Sequence, residues 1–265
     1  MGHLWDTHVH LTMGDYDGDR QEVLSRARQA GVERLVIVGM EERSGRETWD
    51  KAIAFASSQD DALLCLAVHP HDASIATESH YQRLARLAGA LPGKLAAVGE
   101  TGLDYHYDLS PREVQQQVFA RFIGSALALR LPLVIHSREA WDDTCRILDD
   151  TGGWAAGGVF HCFGYGPAQA REVRDRGMYL GVGGVITFKN ADSLRQAVKE
   201  TGLAGIVLET DGPYLAPIPY RGRRNEPAYI PVVAAALAEL FDVDPGYVAD
   251  ITGENAARLF GGRKP

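Results

Sequence analysis

Six side chains of metal-binding type stand at or just past the ends of short apolar runs: His8, His10, Glu100, His136, His161 and Asp211. Imidazole and carboxylate ligate divalent cations. Two histidines at i and i+2 of an extended segment point to one side, so His8 and His10 can grip one ion with ring nitrogens at ~2.0–2.1 Å. An HxH pair alone reads more readily as two packed or surface histidines than as a ligand pair. Six ligand-type residues at five separate run ends are different, because packing gives them no common reason to converge and burying them uncompensated is costly. A metal centre removes that cost. Asp6, at the end of the first run, is of the same type but is not counted among the six.

Such a set needs elements that end together. Eight apolar runs recur along the chain: Leu4 to Thr7, Leu35 to Val38, Leu63 to Val68, Leu95 to Val98, Leu133 to Ile135, Gly158 to Phe160, Tyr179 to Val182 and Ile206 to Leu208. Between them lie stretches with helical spacing, such as Val114, Val118, Phe119, Phe122, Ile123, Ala126 and Leu127, where Ser110 and Pro111 predict a capped helix start. Strand and helix alternating eight times predict an α/β chain of parallel strands, a distorted (β/α)8 TIM barrel over residues 1–265 as a single domain. The stretch from Asp244 to Phe260 reads as an extra C-terminal helix. In a parallel barrel the first polar residue after each apolar run marks the C-terminal mouth, where active sites form. The six candidate ligands fall there.

Composition narrows the function classes. A length of 265 residues with 45% hydrophobic and 23% charged side chains fits an ordinary globular chain. The longest apolar stretch, Ala62 to Val68, is far short of the ~20 residues that span a bilayer, and the start lacks a signal-peptide layout. A cytoplasmic protein with no membrane role is expected. Cys65, Cys145 and Cys162 form no CxxC pair, which argues against a disulfide framework or a thiolate zinc cluster. The net charge of −8 gives no global pull on nucleic acid, so a phosphate-bearing substrate must be held by local positive charge or by bound cations.

The residues also arrive in phrases: DTHVHL at Asp6 to Leu11, VHPHDA at Val68 to Ala73, GETGLDY at Gly99 to Tyr105, IHSREA at Ile135 to Ala140, FHCFGY at Phe160 to Tyr165 and LETDGPYL at Leu208 to Leu215. Together they resemble the TatD family of metal-dependent hydrolases, among the amidohydrolase-like barrels. The likeness runs from about Asp6 to Phe260. It implies two divalent cations (Zn, Mn, Mg or Fe): one on His8, His10 and Asp211, a second on His136 and His161, and Glu100 bridging both. Thr12 and Gly212 depart from residues common among relatives, and neither is a ligand. Two cations ~3.5–4 Å apart can share a water and lower its pKa toward neutrality. Glu100 and Asp211 are the catalytic candidates, with Asp211 placed to orient or deprotonate that water.

The resemblance implies a deoxyribonuclease acting 3′ to 5′ on single-stranded DNA, with no obligate protein partner. The same ligands would serve an amide or ester hydrolase, such as a D-aminoacyl-tRNA deacylase, and a metal-storing protein is the non-enzymatic alternative. Local charge for a phosphodiester comes from Arg138, Lys189, Arg221, Arg223 and Arg224, with Asn225 beside them. The segment from Tyr220 to Pro227 resembles the family's RGxxNEP phrase; it reads as a phosphate-binding loop or as a solvated basic loop. His69 is a candidate substrate contact and His71 a more distant one, while Asp104 and Tyr105 read as residues that brace the site.

Overall fold

All eight apolar runs seed strands in the computed structural model, which describes residues 3–261. In chain order the elements are β1 (Leu4–Val9), α1 (Arg20–Gln29), β2 (Val32–Gly39), α2 (Trp49–Ser57), β3 (Ala62–Leu66), α3 (Glu78–Ala90), β4 (Leu95–Asp104), α4 (Arg112–Leu129), β5 (Leu133–Arg138), α5 (Trp141–Thr151), β6 (Gly158–Phe160), α6 (Pro167–Asp175), β7 (Tyr179–Val182), α7 (Asp192–Thr201), β8 (Ile206–Leu208), α8 (Ile230–Phe241) and α9 (Pro245–Phe260). The strands belong to one sheet whose order follows the chain from β1 to β8. The segment after β8 returns beside β1, where Val9 and Gly212 form a parallel bridge. This is the (β/α)8 class, with α9 as the added C-terminal helix. Its irregularity lies in strand length: β4 has ten residues, β6 and β8 three each.

Two expectations about local structure need correction. First, β1, β4 and β5 do not stop at the first polar residue. Pairing of β4 with β5 continues through Thr101 with Ile135, Gly102 with His136, Leu103 with Ser137 and Asp104 with Arg138. Main-chain pairing is indifferent to side-chain polarity, so His8, Glu100 and His136 are strand residues rather than loop residues. At Gly102 the strands come so close that a Cβ would collide with the carbonyl of His136, and the backbone there has φ of +144°. Second, Ser110 does not cap α4. Pro111 holds the cap position, and the Ser110 hydroxyl donates to the main-chain oxygen of His71.

The chain packs as two compact units. The first comprises residues 3–37 together with Cys162–Arg258; the second comprises Val38–His161 and residues 259–261. In the first, Val23, Leu24 and Ala27 of α1 and Val233, Ala234 and Leu237 of α8 are buried. There Asn255 of α9 donates to the main-chain oxygens of Leu203 and Ile206, fixing α9 at the start of β8. In the second, α4 lays Phe119, Phe122, Ile123 and Ala126 against β4, all fully buried. Each of the three large ones contributes roughly 1.5–3 kcal/mol by leaving water. Cys65 and Cys145 are buried and Cys162 is half-buried.

Candidate metal centre

In the first unit, β1 and the segment after β8 bring His8, His10 and Asp211 together. The two Nε2 atoms are 3.2 Å apart, and Asp211 Oδ1 stands 3.4 Å from His10 Nε2 and 3.9 Å from His8 Nε2. Ligands at ~2.0–2.1 Å around a tetrahedral ion are separated by roughly 3.4 Å, so these atoms are spaced as a ligand set. The main chain sets that spacing. The Asp211 amide donates to His8 O, and the His10 amide donates to Gly212 O, each at 2.9 Å.

Asp6 does not join this set. It is fully buried and accepts from the Thr210 amide at 2.9 Å, the Thr210 hydroxyl at 2.6 Å and the His8 amide at 3.3 Å. Burial raises its carboxyl to about 7 against the opposing pull of these hydrogen bonds. Its role is to clasp β1 to the strand end that carries Asp211.

The second unit holds a different arrangement. Glu100 Oε1 lies 2.7 Å from His136 Nδ1, 3.4 Å from His69 Nε2 and 3.8 Å from His161 Nε2. The other ring nitrogen of His136 meets Asp104 Oδ2 at 3.0 Å, and the same oxygen takes His71 Nε2 at 2.9 Å. Asp104 is itself anchored: its Oδ1 accepts from the amides of His106 and Tyr107, and its own amide donates to Gln115 Oε1. A carboxylate behind a histidine ligand fixes the ring's orientation and its tautomer.

The electrostatics follow. Burial works against charge on His136, but its hydrogen bonds with Asp104 and Glu100 outweigh that and raise it to about 8. Burial dominates at His69 and lowers it to about 4. Asp104 is also desolvated, yet the hydrogen bonds from His136 and His71 hold its carboxyl well below the usual carboxylate range.

His69, expected at the substrate, stands in the ligand group with Glu100 and His136. The signal was present in the sequence: His69 and His71 repeat the i, i+2 spacing of His8 and His10. Glu209 Oε1 accepts from the Cys162 amide at 2.6 Å.

The arginines expected at the substrate separate into two kinds. Arg138 lies over the exposed Tyr107 ring at 4.8 Å, and Arg221 lies over Phe188 at 3.9 Å. Arg223 is exposed. Arg224 is committed to Asp19 by two hydrogen bonds of 2.6 and 2.7 Å and covers the Tyr16 ring. Asn225 is fully buried, donating to Thr210 O and Tyr214 O and accepting from the Glu226 amide. Glu226 in turn takes two 2.7 Å hydrogen bonds from Arg26 of α1. Tyr220 stacks on Tyr229 with centroids 4.1 Å apart, so its face is occupied.

The donor sets, imidazoles and carboxylates at interligand spacings near those of a bound ion, suit divalent cations. The fold and these residues define a metal-dependent hydrolase of the (β/α)8 class. The chain belongs to the TatD related DNase family, whose model matches residues 5–261. It is 41% identical over 257 residues to the uncharacterized metal-dependent hydrolase YabD of Bacillus subtilis, covering 97% of this chain and 98% of that protein. It is 35% identical over 263 residues to the 3′-5′ ssDNA/RNA exonuclease TatD of Cronobacter sakazakii, with 97% of each covered. The crystal structure of YjjV, a TatD homologue from Escherichia coli, superposes with a TM-score of 0.89 at 29% identity, covering 98% of both chains. Among the described residues no helix is long and apolar enough to cross a membrane.

Proposed function

We propose that this hydrolase cleaves phosphodiester bonds of single-stranded nucleic acid, removing nucleotides from a 3′ end, with His8, His10, Glu100, His136, His161 and Asp211 as the ligands of two divalent cations. The observation that carries the reading is the pair of ligand groups, His8, His10 and Asp211 in one and His69, Glu100 and His136 in the other, with His161 Nε2 3.8 Å from Glu100 Oε1. Kinship with a protein named as an ssDNA/RNA exonuclease supports the choice of substrate. In this reading Glu100, with two oxygens, joins both groups, and the chain works as one domain.

Bound cations would supply Lewis acidity and an activated water at neutral pH. The chain's own residues do the rest. Asp211 orients the attacking water and takes its proton. Asp104 holds His136 with its Nδ1 facing Glu100, and His69, uncharged at neutral pH, remains available as a further neutral donor.

The test is a time course on a 5′-labelled single-stranded DNA oligonucleotide with metal-stripped protein reloaded separately with Mg²⁺, Mn²⁺ or Zn²⁺. A ladder of labelled products shortening stepwise, abolished by EDTA, is the expected result. No cleavage with any ion would overturn the nuclease reading in favour of ester or amide hydrolysis.

A further inference from the structure

A cleft of about 460 Å³ opens in the first unit, lined in part by Pro213, Tyr214, Leu215, Arg221, Gly222 and Arg223. Its volume falls within the ~300–1,000 Å³ of small-ligand sites. We propose that this cleft is the subsite for the nucleotide flanking the scissile phosphate: Tyr214 stacks on its base, and Arg221 and Arg223 hold its phosphate. The inference rests on the nuclease reading and adds to it where the strand is gripped.

Four observations converge. The cleft adjoins the ligand group directly, because the Tyr214 amide donates to Asp211 O at 2.9 Å and the Tyr214 ring centroid is 6.5 Å from that of His10. Tyr214 is 50% exposed and Leu215 38% exposed, an apolar and aromatic surface of the kind on which bases stack. The Arg221 guanidinium carbon stands 3.9 Å from the centroid of the Phe188 ring, and a guanidinium held over an aromatic face is a group that recognises phosphate. Neither Arg221 nor Arg223 has a carboxylate partner among the described residues, whereas Arg224, in the same wall, has its charge matched by Asp19.

The loop's construction supports this division. Arg224, Asn225 and Glu226 bind it to α1 and to the strand end of Thr210, so Arg221 and Arg223 project from a fixed base. Gly222 between them has φ of +81° and open space where a Cβ would stand, so a ligand can approach the main chain there. Asp15 is the one carboxylate in the lining, and its main-chain oxygen accepts from Arg224. The two arginines outweigh it, leaving the cleft cationic in a chain whose net charge is −8.

The experiment is equilibrium binding of a fluorescent, cleavage-resistant phosphorothioate oligonucleotide to the metal-loaded protein across a range of salt. The wild type is compared with R221A/R223A, Y214A and, as a distant control, R121A. Thermal melts check that each variant is folded. The double variant is expected to weaken binding about tenfold and to flatten log K against log salt by about 0.7 for one lost phosphate contact. Y214A is expected to weaken binding about tenfold with the slope unchanged. R121A should match the wild type.

Wild-type affinity and slope in the double variant would overturn the proposal, as would failure of the wild type to bind the oligonucleotide. The two readings fail separately. Cleavage of plain DNA with no effect of these variants on binding sinks the cleft and leaves the nuclease standing. Variant-sensitive binding without cleavage by any metal form does the reverse.

Discussion

The two ligand groups are braced by different means. His8, His10 and Asp211 are set by main-chain hydrogen bonds between β1 and the segment after β8, with Asp6 clasping Thr210 beneath them. Around Glu100 the bracing is done by side chains: Asp104 binds His136 and His71 at once. A group fixed by backbone gains its geometry from folding itself, and the buried Asp6 carboxyl satisfies donors that would otherwise be stranded. A group fixed by a second carboxylate has its proton affinity tuned as well. Disturbing the brace should therefore cost folding in the first unit and metal affinity in the second.

Glu100→Ala gives the largest expected effect. Activity should fall more than about 100-fold, beyond the 10–100-fold typical of residues that stand behind ligands. The melting temperature should change little; near-normal turnover would end the assignment of Glu100 to the centre.

The braces themselves come next. Asp104→Asn should lower metal affinity about 10–100-fold and drop His136 from about 8 toward its ordinary range, read by histidine NMR titration of the metal-free protein. Asp6→Ala should leave that titration unchanged and cost on the order of 3 kcal/mol in a denaturant melt, because it strands buried donors. If both variants moved the same observable, the contrast between the groups would be lost.

Acidity sharpens the comparison further. With folded His136 at about 8 and a reference of 6.5, its contribution to metal-free stability is complete below 6.5 and disappears as pH rises through 8. Metal needs the neutral ring, so affinity at the Glu100 group should rise about tenfold per pH unit up to that value. Competition titrations at pH 6 and 7 measure this directly, and equal affinities would contradict it. The smallest effect belongs to Arg224→Ala, whose part-exposed pair with Asp19 is worth about 1 kcal/mol or less. Its melting temperature should shift slightly while the salt dependence of oligonucleotide binding stays as in the wild type.

Much of this was legible in the sequence. Eight apolar runs mark eight strands, and α9 matches the stretch read as a C-terminal helix. Strand ends were harder, because an apolar run stops where β1, β4 and β5 still pair through polar residues. Residue type also misdirects in the basic loop. An arginine or asparagine looks equally fit for phosphate or for a structural partner, and only the side chains they meet separate Arg224 and Asn225 from Arg221 and Arg223. Ser110 shows the same limit, since its hydroxyl finds the His71 carbonyl instead of the helix end.

The clasp of Asp6 on Thr210 joins residues 204 positions apart, and this fixes an order of events during synthesis. His69, Glu100, His136 and His161 have all left the ribosome before the chain that carries Asp211 is made. The first histidine pair emerges earliest and waits longest for its carboxylate. A nascent chain can thus bring the Glu100 group together while His8 and His10 are still without Asp211.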